Sequence, residues 1–362
     1  MKTIPVFEFV PDPDLDRALV EAAQRVIERR RFVLGVEVDA FEREFAAFCG
    51  VAACVGVANG TDALEIACRA CGVAAGTRVA TVANAGFYTC AALAAIGARP
   101  VFVDIDETFT MAPAALASVI DDVNAIVVTH LYGRLAAIEA IVDLARERRI
   151  PVIEDCAQSH GAERGGKRAG SFGAVGCFSF YPTKNLGALG DAGAVVTSDK
   201  EIAARVRALR QYGWSTKYQV ERTGGRNSRL DELQAAFLRV KLTRLLEWNA
   251  ARVRIARMYC EMLRHTAVRT PQFDNGEYVG HLFVVRVPDR DRLRGALADD
   301  GIATDVHYPI PDYAQPILAK TDHRALSMTE AACREVVTLP CYPGLGSDDV
   351  ERIATRIGRH LA

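Results

Sequence analysis

Residues 151–162 read PVIEDCAQSHGA, and residues 176–197 read GCFSFYPTKNLGALGDAGAVVT. Each contains a run that is apolar on both faces, as a strand buried inside a parallel sheet requires. Each run then gives way to polar residues: Asp155 and Gln158 in the first, Ser179, Thr183, Lys184 and Asn185 in the second. Ligands of open parallel sheets gather beyond the carboxyl ends of the strands, so these residues are the first candidates for a site.

Outward from this stretch the pattern repeats. The runs ACVGVA (53–58), RVATVA (78–83), PVFVDI (100–105) and AIVVTH (125–130) precede it and alternate with helical stretches such as TDALEIACRACG (61–72) and AIEAIVDLARERR (137–149). Doubly apolar runs linked by helices predict an α/β fold with a mainly parallel sheet covered on both sides. Upstream, residues 14–30 and 36–50 carry apolar residues at three- and four-residue spacings and predict two helices. Downstream, residues 230–265 read as one long helical segment leaving the sheet. HLFVVRV (281–287), a helix at 290–301, the strand-like ATDVHYP (303–309) and a last helix at 347–361 predict a smaller C-terminal α+β domain. The division expected is 1–248 for the larger domain, with its N-terminal helical segment, and 249–362 for the smaller.

The chain has 362 residues, enough for about two domains. Its 44 Lys+Arg and 45 Asp+Glu nearly cancel, which argues against general nucleic-acid binding, a property that rests on a concentrated basic face. No stretch approaches the ~20 apolar residues of a membrane helix, and acids and prolines stand where a signal peptide would have its apolar run. A cytoplasmic enzyme is expected. The ten cysteines are diluted through apolar runs and read as reduced packing residues. Cys68 and Cys71 form a CxxC inside a helical pattern with no second Cys/His pair nearby, so no metal site is expected.

Three features carry chemistry. In CVGVANGTDALEIACRA (54–70) a strand passes through Asn59, Gly60 and Thr61 into a helix. Gly60 allows close backbone approach and Thr61 adds a hydroxyl at a positive helix end, a cradle for a phosphate dianion or an ordinary N-cap turn. Asp155, at the end of an apolar strand, needs a cation or donors, because an unpaired buried carboxylate is costly. A protonated pyridine nitrogen would satisfy it, with Gln158 bonding a phenolic oxygen on the same ring; capping of the next turn is the alternative. Lys184 lies in an apolar, glycine-rich loop between two strands, where desolvation would lower its pKa and free its amine to form a Schiff base. Pyridoxal phosphate needs all three: a lysine for its aldehyde, an acid for its ring nitrogen and a donor nest for its phosphate.

VIEDCAQSHGA, CFSFYPTKNLGALGDAGAVVT and GGRNSRLDELQAAFLRVKL (224–242) resemble, in order and spacing, the DegT-type (DegT/StrS) sugar aminotransferases, and the likeness runs from residue 30 to residue 354. The resemblance implies pyridoxal phosphate fold type I, like aspartate aminotransferase, with a seven-stranded sheet. It implies that Lys184 holds the cofactor and shuttles a proton, that Asp155 pairs with its ring nitrogen and Gln158 with its ring hydroxyl, and that Gly60, Thr61 and Ser179 bind its phosphate. Asn227 would reach that phosphate from the partner subunit of a homodimer. The substrates implied are a nucleotide-linked keto sugar and L-glutamate or glutamine as amino donor. A sugar dehydratase would carry His at the position of Lys184, and a silent regulator would lose Lys184 or Asp155.

The chain departs from the family where N-T-[FY] places an aromatic residue on the pyridine face. Here the residues are Asn84-Ala85-Gly86-Phe87-Tyr88, and Tyr88 is expected to stack instead, with Phe87 as the alternative. His160 is a candidate for touching sugar or cofactor, or a structural histidine. Lys217, Arg229, His307 and Tyr308 are candidate substrate contacts, with solvation for Lys217 and an ion pair to Asp231 or Glu232 for Arg229 as alternatives. His307-Tyr308-Pro309 resembles the element found in relatives that aminate carbon 3 of 3-keto-6-deoxy sugar nucleotides; carbon 4 and cyclitol ketones stay open.

Overall fold

The computed structural model describes residues 3–273, 276–318 and 323–361. The chain opens with α1 (Pro13–Arg29) and α2 (Val36–Cys49), then β1 (Ala53–Val57), α3 (Gly60–Ala70), β2 (Arg78–Thr81), α4 (Tyr88–Ile96) and β3 (Arg99–Phe102). It continues through α5 (Pro113–Ala117), β4 (Ala125–Thr129), α6 (Ile138–Arg148), β5 (Val152–Asp155), a small hairpin of β6 (Glu163–Arg164) and β7 (Lys167–Arg168), β8 (Val175–Ser179), β9 (Gly193–Thr197) and α7 (Lys200–Leu209). A second hairpin, β10 (Trp214–Thr216) and β11 (Gln219–Val220), precedes α8 (Glu232–Leu242) and α9 (Leu245–Met262). The remainder is β12 (Phe283–Arg286), α10 (Arg290–Asp299), α11 (Ser327–Glu335), β13 (Val336–Leu339) and α12 (Ser347–Leu361).

The seven apolar runs become a seven-stranded sheet in the order β1-β9-β8-β5-β4-β2-β3. Pairings from β8 to β3 are parallel, and β9 alone runs against its two neighbours. This is the mainly parallel α/β sheet expected from the sequence. On one face Val55, Val127, Ile153 and Val195 pack against Ile66, Leu93 and Val206 of α3, α4 and α7. On the other, Val196, Phe178 and Cys54 pack against Phe41 and Phe45 of α2 and Leu238 of α8. A separate core gathers Tyr259, Phe283, Val285, Leu293, Val337 and Ile353 around β12, β13, α9, α10 and α12.

Polar details fix how the helices start. Asp12 caps α1 by accepting the Leu15 N–H at 3.1 Å. Buried Glu232 accepts the N–H groups of Gly35, Glu37 and Val38 at 2.8, 3.0 and 2.8 Å, supplying to the start of α2 the acceptor that Gly35 cannot. This occupies the carboxylate considered as a partner for Arg229.

Two expectations are corrected. The long helix of 230–265 is two helices, broken at Thr243 and Arg244, because α8 packs on α1 and α2 while α9 turns to join α12. ATDVHYP makes only an isolated bridge, Asp305 to Thr338. The partner of β12 is β13, whose Val336–Leu339 are buried throughout and are not singled out in the sequence. The expected division at 248/249 falls inside α9. All ten cysteines are free, with Cys68 in the core under the sheet. Among the described residues no helix is long and apolar enough to cross a membrane.

Candidate active site

A cavity of about 900 Å³ opens at the carboxyl ends of β1, β4, β5 and β8. Asn59, Gly60 and Thr61 line it from the start of α3, Thr129 from β4, Asp155 and Gln158 from the end of β5, Ser179 from β8, and Lys184 from the loop before β9. The opposite wall carries His281, His307, Tyr308 and Cys341, together with Val6 and Phe7 of the N-terminal segment. That segment is held by paired hydrogen bonds, Ile4 N–H to the Gly301 carbonyl and Ala303 N–H to the Ile4 carbonyl, both 2.9 Å.

Lys184 sits half-buried where the loop folds back, its N–H bonded to the Tyr181 carbonyl at 2.8 Å. Desolvation, partly offset by the Asp155 carboxylate, pulls its pKa from 10.5 down to about 8. About a tenth of the amine is therefore neutral and nucleophilic at pH 7, against well under a thousandth for an unperturbed lysine. Asp155 is buried, and burial pushes its pKa up against the pull of the Ala157 N–H, Lys184, His130 and Thr129. Its Oδ1 accepts from Ala157 at 3.1 Å and its Oδ2 from Thr129 Oγ1 at 3.4 Å. A further cationic donor at this carboxylate would relieve the cost of its burial.

Gln158 is oriented from both ends. Its Oε1 accepts the Tyr132 N–H at 2.6 Å and its Nε2 donates to the Tyr308 hydroxyl at 3.2 Å, which leaves the second amide hydrogen for another acceptor. Asn59 caps α3 by accepting the Asp62 N–H at 2.8 Å, so the capping role weighed for Thr61 belongs to Asn59. A Cβ on Gly60 would lie 2.5 Å from Ser179 Cβ. Only glycine lets the α3 N-terminus meet the end of β8, and the Thr61 and Ser179 hydroxyls then share one concave, positively polarised corner.

Tyr88, the first residue of α4, is 52% exposed and lines the cavity, edge-on to Tyr308 with ring centroids 6.2 Å apart. Gly86 has φ +78°, and a Cβ there would lie 2.8 Å from the Tyr308 ring. The missing aromatic at position 86 is thus matched by a tyrosine arriving from the C-terminal part of the chain. Phe87 is held away from the cavity in an apolar cluster with Phe102, Tyr313 and Leu326. His307 bonds Thr338 Oγ1 through Nδ1 at 2.8 Å, and its carbonyl accepts the Tyr132 hydroxyl.

The remaining candidates lie off this wall. His160 is fully buried between Phe178 and Phe180, its Nε2 donating to the Ser179 carbonyl at 2.9 Å, and burial lowers its pKa to about 3. The sugar contact considered for it is not available here; it buttresses Ser179 from behind. Lys217 is exposed in the β10–β11 turn, 4.9 Å from the Tyr218 ring centroid, and Asn227 is exposed beside an isolated bridge to Gln211. Arg229 is half-buried and forms no ion pair with Asp231 or Glu232 among the described residues.

Sequence reading missed Thr129, Tyr132 and His281, which sit in or behind the wall. AIVVTH signalled the strand end that places Thr129, but nothing local brings residue 281 next to residue 184. Also missed was Glu154, on the opposite side of β5 from Asp155. It is fully buried and accepts N–H groups from Gly170, Phe172 and Gly173 at 2.9, 2.8 and 2.7 Å, with His130 Nε2 at 3.0 Å. His130 Nδ1 accepts the Ala136 N–H at 3.1 Å, so Nε2 carries the hydrogen and donates. Glu154, His130 and Cys156 lie close enough to hold a metal ion, yet these hydrogen bonds already account for the carboxylate and the imidazole.

Residues 13–358 match the family described as the DegT/DnrJ/EryC1/StrS aminotransferase family. The chain is 42% identical over 347 residues, 95% of each chain, to a protein named dTDP-3-amino-3,6-dideoxy-alpha-D-galactopyranose transaminase from Aneurinibacillus thermoaerophilus. It is 40% identical over 361 residues, 97% of this chain and 96% of the relative, to one named a pleiotropic regulatory protein from Geobacillus stearothermophilus. Among solved structures, S. venezuelae DesV in complex with a ketimine intermediate superposes with a TM-score of 0.92 at 39% identity, covering 96% of this chain and 95% of that one.

Proposed function

We propose that this chain, which belongs to the DegT/DnrJ/EryC1/StrS aminotransferase family, uses pyridoxal phosphate to move an amino group from L-glutamate or glutamine to a nucleotide-linked 3-keto-6-deoxy sugar, working in the cytoplasm as a homodimer. The observation that carries this is one cavity lined together by Lys184, Asp155, Gln158 and the Gly60-Thr61-Ser179 corner.

These residues fit the cofactor. The corner made possible by Gly60 offers helix N–H groups and two hydroxyls to a phosphate dianion. Asp155 would hold the ring nitrogen, which as a cation answers the cost of that carboxylate's burial. The spare hydrogen of Gln158 would meet the ring hydroxyl, and Tyr88 would cover the ring face. Lys184 would hold the aldehyde carbon. Asn227 would complete the phosphate site of a second subunit, which explains an asparagine exposed on its own. When bound, the cofactor would supply an electron-poor ring that takes up the electron pair of a breaking C–H bond at the amine-bearing carbon.

The rest is done by the chain. Lys184, with its depressed pKa, accepts a proton at Nζ and returns it, which suits a group working between two half-reactions. Thr129 and the Ala157 N–H keep the Asp155 carboxylate pointed at one position. Tyr88, Tyr308 and the N-terminal Phe7 narrow the cavity and exclude water. We read residues 1–248 as the unit that holds the cofactor and residues 249–362 as the unit that brings His307 and Tyr308 to the sugar. The 3-keto assignment rests on those two residues and on the relative that makes a 3-amino sugar.

The test is incubation of purified protein and pyridoxal phosphate with L-glutamate and a dTDP-linked 3-keto-6-deoxyhexose, followed by mass spectrometry. The expected products are 2-oxoglutarate and a nucleotide-linked amino sugar. Failure to aminate any 3-keto or 4-keto sugar nucleotide would remove the reading.

A further inference from the structure

A buried chain of amides behind Lys184 ends at the cavity, and the backbone fixes its polarity. Asn249 Nδ2 donates to the His160 carbonyl at 2.8 Å, and a carbonyl can only accept, so Asn249 Oδ1 faces the other way. That oxygen accepts from Asn185 Nδ2 at 2.8 Å, and the same amide nitrogen donates to the Val279 carbonyl at 2.9 Å. Both hydrogens of Asn185 are thereby used, and its Oδ1 is the atom 3.0 Å from His281 Nδ1. An amide oxygen has no hydrogen to give, so His281 Nδ1 must carry one.

The ring's other nitrogen follows by elimination. His281 is 7% exposed and lines the same cavity as Lys184 and His307. Desolvation first, then the charges of Lys184 and Arg252 with His160 and His307 adding to them, hold its pKa well below the usual value. The ring stays neutral, Nδ1 holds its single hydrogen, and Nε2 is a bare lone pair. Unlike the hydroxyls and amides that line the cavity beside it, this is an acceptor that cannot donate.

Such a nitrogen discriminates by chemistry. A carboxylate or a ketone oxygen carries no hydrogen and gains nothing from it, whereas an alcohol donates to it directly. We infer that His281 is a specificity-determining residue that accepts a hydrogen bond through Nε2 from a ring hydroxyl of the sugar substrate, in the tautomer locked by Asn185 and Asn249. The inference rests on the keto-sugar reading and assigns to His281 a role in the second half-reaction rather than the first.

Two measurements decide it. In ¹⁵N-histidine NMR of the unmutated protein, His281 should show protonated Nδ1 and unprotonated Nε2 from pH 6 to 9; a protonated Nε2, or titration near pH 6.5, would overturn the assignment whatever the enzyme turns over. In single-turnover kinetics, His281→Phe keeps a planar ring and removes the acceptor. Its kcat/KM for the keto sugar should fall about 10- to 100-fold, at least tenfold more than its rate with glutamate. With the wild type, a sugar nucleotide lacking the contacted hydroxyl should lose a similar factor, and His281→Phe should add little to that loss. Equal losses in both half-reactions, or full additivity for every hydroxyl removed, would contradict the contact. Absence of sugar turnover by the wild type would instead strike the functional reading and leave the NMR result standing.

Discussion

Lys184 is placed against its own preference for water. Its folded pKa of about 8 lies below the unfolded value of 10.5, so the unfolded chain binds the proton more tightly throughout that interval. The contribution of a base shifted this way is fully present above pH 10.5 and is lost as pH falls towards 8. Replacing Lys184 by Met removes a desolvated ammonium and keeps most of the volume. The variant without cofactor should be more resistant to thermal unfolding than the wild type at pH 7, with the advantage shrinking as pH rises from 8 to 10.5, while amino transfer is abolished. Thermal scans across that range check the first part, and equal Tm differences at all pH values would show that the amine is not desolvated. The type of residue at 184, and of Asp155 and Gln158, was legible in sequence because each lies at or shortly after the end of a buried strand. The tautomer of His281 and the support of His160 were not, since they depend on amides 64 to 96 residues apart meeting in space.

Most of the strands that came through from sequence are those buried along nearly their whole length. The seven runs of the sheet are apolar on both faces and need no partner to be recognised, whereas β13 and the break between α8 and α9 are decided by what they pack against. The turn into α4 is of the second kind. Phe87 takes φ +72°, with its N–H given to Asp312 Oδ1 at 2.9 Å, while Cys90 Sγ lies 3.5 Å from Oδ2 and the Asp312 N–H meets the Ala83 carbonyl at 2.7 Å. One residue from the C-terminal half thus clamps both sides of the loop that presents Tyr88. Burial raises the Asp312 pKa from 3.8 to about 7, because these two donors do not replace its hydration. Its contribution is full below pH 4 and is lost as pH rises to 7. Asp312→Asn keeps an acceptor for Phe87 and abolishes the charge. Between pH 4 and 8 the stability difference should move in the variant's favour by on the order of 2–4 kcal/mol. Urea unfolding at the two pH values measures this, and a constant difference would contradict the buried carboxylate.

At the scale of the whole molecule, the cavity is walled by residues from position 6 to position 341, and the residue proposed to complete it, Asn227, faces outward from its own chain. Val20 and Ile27 of α1, with Phe32, Val33 and Val36 beyond it, are large apolar residues left exposed on the single chain, as residues of a subunit interface would be. If the sites are shared, mixing inactive Lys184→Met dimers with Asn227→Ala dimers under exchanging conditions should form hybrids with one intact site, and activity should recover to about a quarter of the wild-type value by random pairing. No recovery in a mixture shown to exchange would place Asn227 outside the site. The central claim is that Lys184 and its neighbours hold pyridoxal phosphate and exchange its oxygen for the amine of glutamate. The visible absorbance spectrum of the purified protein, with cofactor and then with L-glutamate, tests it most directly. A yellow band that appears with pyridoxal phosphate, bleaches on adding glutamate and is absent in Lys184→Met is the expected result. A protein that stays colourless with cofactor, or whose Lys184→Met variant develops the same band, would contradict it.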